Sequence, residues 1–357
     1  MGALHISAHM RAARFQGKED GVVIADVERP RPSVDEVLVE IKAAGLCGSD
    51  VHYLDPDSDS APDTVPLTIG HEGAGEVVEI GEEVDSVAVG DRVIIHYVDS
   101  CGSCKWCMRG RENRCRHRES IGAAVDGTFA EAITVHERSV VTMPDSIPYE
   151  WGSLMGCAGA TGFHAVERSN LSVGDTVAVF GAGGVGSQAI LWAAFRGARE
   201  VIAIEPVGAR RDLAAELGAT KLVDPADGAA RAVIDEVTDG YGVDVSLECS
   251  GRPDAMAAAI DAINGSNKYE SGTAVSVGLQ EAPLEAEYWG LREGQLMVSG
   301  DHTRDELRTI VELLAADRVD PSPAIGERFA LSELSAAVER LHTGDSVGRL
   351  IIDPTLA

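Results

Sequence analysis

Four cysteines in the segment 101–115 constrain the fold of this chain more than any other feature. They are Cys101, Cys104, Cys107 and Cys115, in a C-x₂-C-x₂-C-x₇-C pattern. Four thiolates this close in sequence can close a tetrahedral shell around one Zn²⁺. A pair of disulfides and a 4Fe–4S cluster, which uses similar cysteine spacing, are the alternatives. We favour zinc, and because a shell of four sulfurs has no open position, the pattern predicts a structural site, with the chemistry elsewhere.

The composition limits the class of protein. The chain has 357 residues, which suits two domains better than one, and a formal net charge of −28. Nucleic acids and anionic membranes require a cationic footprint, so neither is expected as a partner. No apolar run approaches the roughly 20 residues that span a bilayer, and no signal-peptide pattern is present. The odd count of seven cysteines fits a reducing compartment, and we expect a soluble cytoplasmic protein.

Acidic residues are scattered along the chain, as in the segments 55–63 and 82–85. This distribution resembles that of proteins from salt-loving organisms, in which high ionic strength screens self-repulsion. An acidic enzyme of a mesophile is the alternative. Residues 1–9 precede a second methionine and the alternating start RAARF, so we expect them to be a leader outside the fold.

Hydrophobic patterning predicts two domains of different architecture. Residues 10–160 contain short alternating strands separated by Gly, Pro and Asp, which indicates a mostly antiparallel β domain. Residues 161–301 alternate buried apolar runs such as TVAVF with helical segments, which predicts a doubly wound parallel sheet. Over residues 302–357 we expect the chain to return to the first domain. The patterns there predict helices over 305–318 and 327–344 and a strand over 348–353.

A glycine motif follows the first strand of the second domain. Gly181, Gly183 and Gly186 form G-x-G-x-x-G between the strand TVAVF and a predicted helix. The hexapeptide alone is a weak signal. Its strand–turn–helix context indicates a dinucleotide site, in which glycines permit a tight turn and the helix N-terminus binds the pyrophosphate. A flavin or another nucleotide could use the same motif, and a purely structural turn is a further alternative.

The expected cofactor is NAD. Glu205 ends the next predicted strand, where its carboxylate can accept hydrogen bonds from the adenine ribose and repel a 2′-phosphate. Arg210 and Arg211 follow closely, and high salt would weaken the repulsion, so NADP is the alternative.

Two cysteines and a histidine outside the cluster form the candidate catalytic set. Cys47 lies in GLCGSDVH, His71 in GHEGAG and Cys157 in GCAGAT. Each alone has a simpler explanation, a small buried side chain for a cysteine and a hydrogen-bonded polar group for the histidine. Together they can supply the Cys₂His shell of a catalytic zinc, which keeps a fourth position open for water or substrate.

The order of these motifs resembles one family from end to end. GLCGSDVH, GHEGAGEVVEIG, GDRV, the four-cysteine segment, GCAGATG and GAGGVG follow one another as in the zinc-dependent medium-chain alcohol dehydrogenases, over nearly all of residues 10–353. The resemblance implies a GroES-like catalytic domain over 10–160 and 302–357, with a structural zinc lobe at about 98–118. It also implies a Rossmann domain inserted at 161–301, an active site between the domains, two zinc ions per chain, and hydride transfer between an alcohol and NAD(P).

The same resemblance assigns metal ligands. Cys47, His71 and Cys157 look like the catalytic zinc ligands, and the four clustered cysteines look like the structural site. Glu72 looks like a neighbouring carboxylate that can reach the metal. Asp50 is similar to a carboxylate that orients and polarises the ligand His71.

A proton relay is implied as well. Ser49 matches the hydroxyl that takes the substrate proton, and His52 the outer end of a relay to solvent. A serine is not a strong base by itself, so it must pass the proton through the cofactor ribose towards His52, whose unperturbed pKa near 6.5 suits this task.

Further cofactor contacts follow from the resemblance. Residues at family positions for the nicotinamide ring are Thr161, Val185, Val277 and Leu279. Arg349 matches an arginine that meets the pyrophosphate and pairs with Glu72. Arg210 and Arg252 match ribose or adenine positions, and each of these residues could instead belong to the core or the surface.

Two departures from the family pattern leave the substrate open. Gly48 stands where many alcohol dehydrogenases carry a cation, which makes the segment GSDVHY look more like the polyol branch. Cys157, in contrast, stands where that branch usually has a glutamate. Because Cys157 would enter the metal shell, we favour a primary or secondary alcohol, with a polyol or sugar of the sorbitol, xylitol or glucose type as the alternative. A non-catalytic redox sensor that binds zinc and nucleotide is an alternative of another class. Resemblance to microbial members suggests a homotetramer or a dimer.

Overall fold

The computed structural model describes residues 8–55, 61–62, 64–265, 272–278 and 293–356. These residues form two compact units. The first unit comprises the described residues up to Cys157, together with Thr303–Arg318 and the residues from Ile325 onward. The second unit comprises Ala158–His302 and Val319–Ala324. Among the described helices, none combines the length and apolar character needed to cross a membrane.

The strands and helices follow in chain order. The strands are β1 (His9–Phe15), β2 (Val22–Glu28), β3 (Glu36–Gly45), β4 (Leu67–Thr68), β5 (Glu72–Ile80), β6 (Arg92–Ile95), β7 (Val98–Asp99), β8 (Glu119–Ser120), β9 (Ala132–His136), β10 (Val140–Thr142), β11 (Thr176–Phe180), β12 (Glu200–Ile204), β13 (Lys221–Val223), β14 (Val245–Glu248), β15 (Thr273–Ser276), β16 (Gln295–Val298), β17 (Ile325–Ala330) and β18 (Arg349–Asp353). The helices are α1 (Gly48–Leu54), α2 (Tyr149–Leu154), α3 (Ala160–Arg168), α4 (Gly184–Phe195), α5 (Gly208–Glu216), α6 (Ala229–Val237), α7 (Pro253–Ala262), α8 (Arg304–Ala315) and α9 (Leu334–His342).

The first unit is built on a large, mostly antiparallel sheet. Its strand order is β10-β6-β5-β3-β18-β17, and β9 also pairs with β3. A smaller sheet has the order β2-β1-β4, and β7 pairs with β8. Phe15, Ile41, Ile95 and Phe129 are fully buried in the core of this unit. Burying a side chain of this size contributes about 1.5–3 kcal/mol, so these positions anchor the sheets.

The second unit contains one parallel sheet of described strands, in the order β13-β12-β11-β14-β15-β16. Counted along the chain, this order is 3-2-1-4-5-6, the arrangement of doubly wound dinucleotide-binding domains. The five residues of β11 are all buried, as expected for a strand covered on both faces. The sequence prediction of a β-rich part followed by a doubly wound parallel sheet is therefore confirmed.

The prediction of a helix over 327–344 is wrong in its first part. Residues up to Ala330 belong to β17, which pairs in parallel with β18, and the helix α9 begins only at Leu334. The apolar residues of this segment fit a helical period, but ladder hydrogen bonds to a strand that follows about 20 residues later determine the structure. Residues Val319–Ala324, which the sequence pattern assigns to the first domain, lie in the second unit.

Candidate active site

Strand register brings two of the candidate metal ligands together. Gly45, the last residue of β3, pairs with Glu72, the first residue of β5, in antiparallel register. Cys47 comes two residues after Gly45, and His71 directly precedes Glu72, so both side chains lie at the same end of this strand pair. Cys47 is also the N-cap residue of α1.

The third candidate ligand comes from a distant segment. Cys157 lies in a π-helical turn, Met155–Gly159, between α2 and α3. Such turns are rare and often occur at functional sites. The ligand atoms of Cys47, His71, Glu72 and Cys157 all lie within 4.8 Å of one another, and all four residues are buried. The structure thus brings together the three residues that the sequence predicts to share a catalytic metal.

Asp50 holds two of these residues in place. One carboxylate oxygen, Oδ2, accepts a hydrogen bond from the backbone N–H of Cys47 at 2.9 Å. The other, Oδ1, lies 3.2 Å from Nδ1 of His71. With Nδ1–H donating to this fully buried carboxylate, the lone pair of Nε2 is available to a metal.

The chemistry of the donor set fits a divalent zinc ion. A hydrogen bond from Cys157, together with the positive charge of Arg349, lowers the pKa of Cys47 against the effect of burial. The same hydrogen bond and burial raise the pKa of Cys157. Burial opposes a charged imidazole, but the carboxylate of Asp50 raises the pKa of His71 overall. Two neighbouring sulfurs, of which Cys47 has the lowered pKa, and one oriented imidazole match the Cys₂His shell of catalytic zinc sites.

Glu72 is a further buried acidic group at the site, beside Asp50 and the two cysteines. Its carboxylate is fully buried, and Oε2 lies 3.3 Å from Nε of Arg349, close enough for an ion pair. Hydrogen-bond geometry is not met there, and neither carboxylate oxygen has a hydrogen-bond partner among the described residues. Burial raises the pKa of Glu72 to about 8, although Arg349 acts in the opposite direction. A second nitrogen of Arg349, Nη1, donates to the carbonyl of Leu46 at 2.7 Å.

The predicted relay residues lie on α1. Ser49 and His52 are three residues apart and therefore neighbours on one helix surface. Oγ of Ser49 lies 3.9 Å from Sγ of Cys47. The structure places the serine at the metal-ligand cluster.

Sequence reasoning did not single out three residues near the cluster. The ring of Tyr97 lies edge-on to His71, with ring centroids 5.3 Å apart. Burial raises the pKa of Tyr53, and Asp50 and both sulfurs act in the same direction, whereas His71 lowers it. Gly45 is the third, because a Cβ there would lie 2.0 Å from Oε2 of Glu72. Each tyrosine directly follows a histidine in the sequence, at positions 96–97 and 52–53. No local pattern indicates that position 45 requires a glycine.

The four clustered cysteines form a compact sulfur cage in the first unit. Sulfur–sulfur distances are 3.5 Å for Cys115–Cys101, 3.6 Å for Cys104–Cys107, 3.8 Å for Cys104–Cys115 and 4.0 Å for Cys101–Cys107. A regular tetrahedron with zinc–sulfur bonds of about 2.3 Å has sulfurs about 3.8 Å apart. A disulfide would require about 2.05 Å, and all seven cysteines are free. The four sulfurs therefore fit the shell of one zinc ion. Their distances exclude disulfide bonds in this structure.

The glycine motif forms the tight turn between β11 and α4. Gly181 has a φ of +88°, which favours glycine, and a Cβ on Gly186 would lie 1.8 Å from the carbonyl oxygen of Gly181. A Cβ on Gly183 would meet no atom within 4 Å, which leaves space beside the turn. This cradle lies at the C-terminal end of the central strand, where doubly wound sheets bind nucleotides.

Glu205 and Arg211 are tied into the structure around this turn. Glu205 is buried, and its carboxylate accepts hydrogen bonds from the backbone N–H groups of Ala182 at 2.8 Å and Val207 at 3.0 Å. Nη1 of Arg211 donates to the carbonyl oxygens of Glu205 and Pro206 and to the carboxylate of Asp224, at distances of 2.6–3.0 Å.

The other predicted cofactor residues in the second unit occupy varied positions. Thr161 is buried in α3, and its hydroxyl has no hydrogen-bond partner among the described residues. Val185 lies in the first turn of α4, Val277 directly follows β15, and Arg210 lies in α5. Arg252 is exposed and pairs with Asp254 at 2.9 Å. Leu279 lies outside the described residues.

Two family models match this chain. Residues 33–145 match the alcohol dehydrogenase GroES-like domain, and residues 184–316 match the zinc-binding dehydrogenase model. The first match covers the four-cysteine cage together with Cys47 and His71, and the second covers most of the parallel sheet.

Individual proteins resemble the chain over nearly its whole length. L-threonine 3-dehydrogenase from Caldanaerobacter subterraneus subsp. tengcongensis is 34% identical over 351 residues, which cover 97% of this chain and 99% of that protein. The crystal structure of 2R,3R-butanediol dehydrogenase from Bacillus subtilis has a TM-score of 0.86 and 30% identity, covering 97% of this chain and all of the other. A structure from Sinorhizobium meliloti 1021, solved with NADP bound, has a TM-score of 0.85 and 28% identity and covers 98% of this chain and 100% of that one.

Proposed function

This chain belongs to the zinc-dependent medium-chain alcohol dehydrogenase family, and from that premise we propose that Cys47, His71 and Cys157 hold its catalytic zinc. It is an oxidoreductase that acts on CH–OH groups with zinc and NAD(P). The observation that supports the assignment best is the convergence of two sulfurs and one imidazole, all buried, within 4.8 Å. When bound, zinc acts as a Lewis acid on the alcohol oxygen, and the nicotinamide accepts the hydride.

The chain's own residues orient the ligands and move the proton. Asp50 fixes His71 through Nδ1 and Cys47 through its backbone N–H. Ser49 would accept the proton of the substrate hydroxyl, and His52, on the same side of α1, would be the outer group that releases it to solvent. Glu72 places a buried carboxyl group beside the ligand set, 3.3 Å from Nε of Arg349.

The four-cysteine cage is proposed as the structural zinc site. Its sulfur spacing matches a closed tetrahedral shell, which leaves no position for a substrate oxygen. Its role would be to hold the segment of residues 98–118, which contains the short strand β7 and two short 3₁₀ turns, Cys107–Arg109 and Glu112–Arg114, among its described elements.

NAD is proposed as the preferred cofactor. The buried carboxylate of Glu205 lies under the glycine turn, and Arg211 is already engaged by three acceptors, so it is a poor ligand for a 2′-phosphate. Arg210, which precedes Arg211 in the sequence, is then the candidate cation for the 2′-phosphate of NADP. Substitution of Glu205 by Gln should narrow the ratio of NAD to NADP turnover, since it removes the repelling charge.

The proposed substrate is a primary or secondary alcohol. A second candidate, an alcohol with an adjacent polar group such as a diol or polyol, is supported by the relatives named for L-threonine and 2R,3R-butanediol. Initial-rate assays with NAD and NADP against ethanol, benzyl alcohol, 2,3-butanediol, L-threonine and sorbitol separate these candidates. Turnover of sorbitol or L-threonine far above that of the simple alcohols would overturn the first choice.

Two cysteine variants test the assignment of the metals. We expect metal analysis to find two zinc ions per chain in the wild type and one in Cys47→Ala and Cys104→Ser. Cys47→Ala should lose NAD reduction while its thermal unfolding changes little, whereas Cys104→Ser should lose stability more than chemistry, because structural zinc contributes folding free energy. Loss of turnover in folded Cys104→Ser that keeps the other zinc would contradict this division of roles.

Cellular location and assembly complete the proposal. All seven cysteines are free, which is consistent with a reducing, cytoplasmic compartment. A homotetramer or dimer is proposed from the resemblance to microbial members of the family. Light scattering coupled to size-exclusion chromatography would measure the state, and a monomer would refute it.

A further inference from the structure

A second cleft in the first unit lies between β10, α8 and the loop around Ser86. Its volume is about 580 Å³. Valine side chains contribute an apolar lining from Val87, Val140, Val141 and Val311. Three arginines and two glutamates also line it: Arg138, Arg304, Arg308, Glu137 and Glu312. None of these residues belongs to the metal sites or to the glycine turn.

The concentration of arginines is unusual for so acidic a chain. The protein has a net charge of −28 and 30 basic residues against 58 acidic ones, yet three guanidinium groups line this one cleft. Arg304 is half-buried, and burial together with the positive charges of Arg308 and Arg138 lowers its pKa, against the opposing effect of Glu112 and Asp305. Like charges that crowd in this way are relieved when an anion binds between them.

The protein uses only part of the donor capacity of these arginines. Arg304 donates from Nη1 to the carbonyl of Arg138 at 3.1 Å. Arg138 donates from Nε to the carbonyl of Ser100, and the same nitrogen lies 3.9 Å from the carboxylate of Asp99. Arg308 donates from Nη1 to the exposed carboxylate of Asp305 at 2.9 Å. Each guanidinium carries five N–H groups, so the remaining nitrogens can bind a ligand.

One of the two glutamates, Glu137, is engaged by hydrogen bonds from residues 85 and 86. Oε2 of Glu137 accepts a hydrogen bond from the hydroxyl of Ser86 at 2.6 Å and further bonds from the backbone N–H groups of Asp85 and Ser86. These donors from the segment around Ser86 engage one oxygen of the carboxylate. Glu312, on the exposed side of α8, is the other acidic group of the lining.

We propose that this cleft binds a divalent oxyanion of the phosphate type, held chiefly by Arg304 and Arg308, with Arg138 as the third cation. Guanidinium groups match the geometry of phosphate oxygens and can bind them in a bidentate manner. The valines provide a surface for the apolar part of a phosphate monoester, so an ester should bind more tightly than inorganic phosphate. The inference is independent of the proposed catalytic function, because the residues and the readout are different.

Calorimetric titration of the zinc-loaded enzyme tests the proposal. Saturating NAD occupies the cofactor phosphate site, and inorganic phosphate, phenyl phosphate and benzoate serve as probes at matched ionic strength. Phenyl phosphate should bind more tightly than phosphate, and phosphate more tightly than benzoate. Binding of phenyl phosphate should weaken at least tenfold in Arg308→Gln and in Arg304→Gln, while alcohol turnover changes little.

Arg340→Gln is the matched control, because Arg340 is an exposed arginine of the same unit that pairs with Glu327 at 2.7 Å. It should bind phenyl phosphate like the wild type. Arg308→Gln changes an exposed side chain and should remain folded even if Arg304→Gln does not. The proposal fails if the wild type binds no probe, if Arg308→Gln binds as the wild type does, or if benzoate binds as tightly as phenyl phosphate.

Discussion

Gly45 and Glu72 show how one residue depends on its neighbour across a strand pair. They are partners in the register of β3 and β5, and the Cβ position of Gly45 is 2.0 Å from Oε2 of Glu72. A side chain at position 45 would occupy the space of the carboxylate. Because Glu72 is confined between this backbone and Arg349, only a glycine lets it remain beside the metal ligands.

Gly45→Ala should therefore displace Glu72. We expect kcat to fall and the free energy of unfolding to drop by about 1–3 kcal/mol, as for other overpacked cores. Urea denaturation and steady-state kinetics measure the two effects. Gly300→Ala is the control, since a Cβ there meets nothing within 4 Å and should leave both quantities unchanged. Wild-type kcat in Gly45→Ala would show that the position of Glu72 is unimportant.

Asp50→Asn tests the orientation of the metal ligands. The carboxylate accepts from Cys47 N–H with one oxygen and from His71 Nδ1–H with the other, but an amide has only one oxygen to accept with. We expect zinc affinity at this site to fall about 10–100-fold, as for other altered partners of metal ligands. Competition with a chelator measures it, and the zinc of the four-cysteine cage should remain bound. Equal release of both zinc ions from Asp50→Asn would argue against a specific role of Asp50 at the site of Cys47 and His71.

The turn between β11 and α4 is the element whose geometry depends most on small residues. Its backbone reverses so tightly that the Cα of Gly186 packs against the carbonyl of Gly181, with no room for a methyl group. Buried Glu205 ties the same turn through the N–H of Ala182. Contacts within the chain thus hold the shape of this turn.

Gly186→Ala should weaken NADH binding more than tenfold, because the turn must open to accommodate the methyl group. Fluorescence titration with NADH measures the affinity, and zinc content should stay at two ions per chain. Gly183→Ala is the contrast, because its methyl group meets no protein atom and should leave the free energy of unfolding unchanged. Unaltered NADH affinity in Gly186→Ala would remove the glycine turn from the cofactor site.

At the scale of the whole molecule, the dominant property is the net charge of −28. Many described ion pairs involve side chains that are at least partly exposed, and such pairs contribute little individually. Self-repulsion of the excess acidic groups opposes the compact state, and salt screens it within a Debye length of about 10 Å at 0.1 M and about 3 Å at 1 M.

The midpoint of thermal unfolding should therefore rise by several degrees when KCl is increased from about 0.1 M to about 2 M. Differential scanning calorimetry measures it. A neutral osmolyte at equal osmolality is the control for effects of solvent exclusion and should produce a smaller rise. A midpoint that falls with salt would show that attractive ion pairs outweigh the repulsion.

The sequence predicts features whose causes are local, or whose motifs are distinctive in combination. The four-cysteine cage depends on spacing within one short segment, and the order of the parallel strands depends on the alternation of apolar runs with helices. The proximity of Cys47 and Cys157 is indicated by the family resemblance and not by any local pattern. It depends on the register of β3 and β5 and on a π-helical turn, which the local sequence does not show.

Features that depend on a distant partner escaped prediction. Residues Ile325–Ala330 carry an apolar spacing compatible with a helix, but hydrogen bonds to β18 make them a strand. The need for a glycine at position 45 appears only when Glu72 is seen opposite to it. Two arginines of the second cleft, Arg138 and Arg304, lie 166 residues apart in sequence, so no local pattern could join them.

One boundary between the two units falls directly after Cys157, so all four side chains of the proposed catalytic ligand set belong to the first unit. Substitutions in the second unit that change the preference between NAD and NADP should therefore leave these four side chains in place.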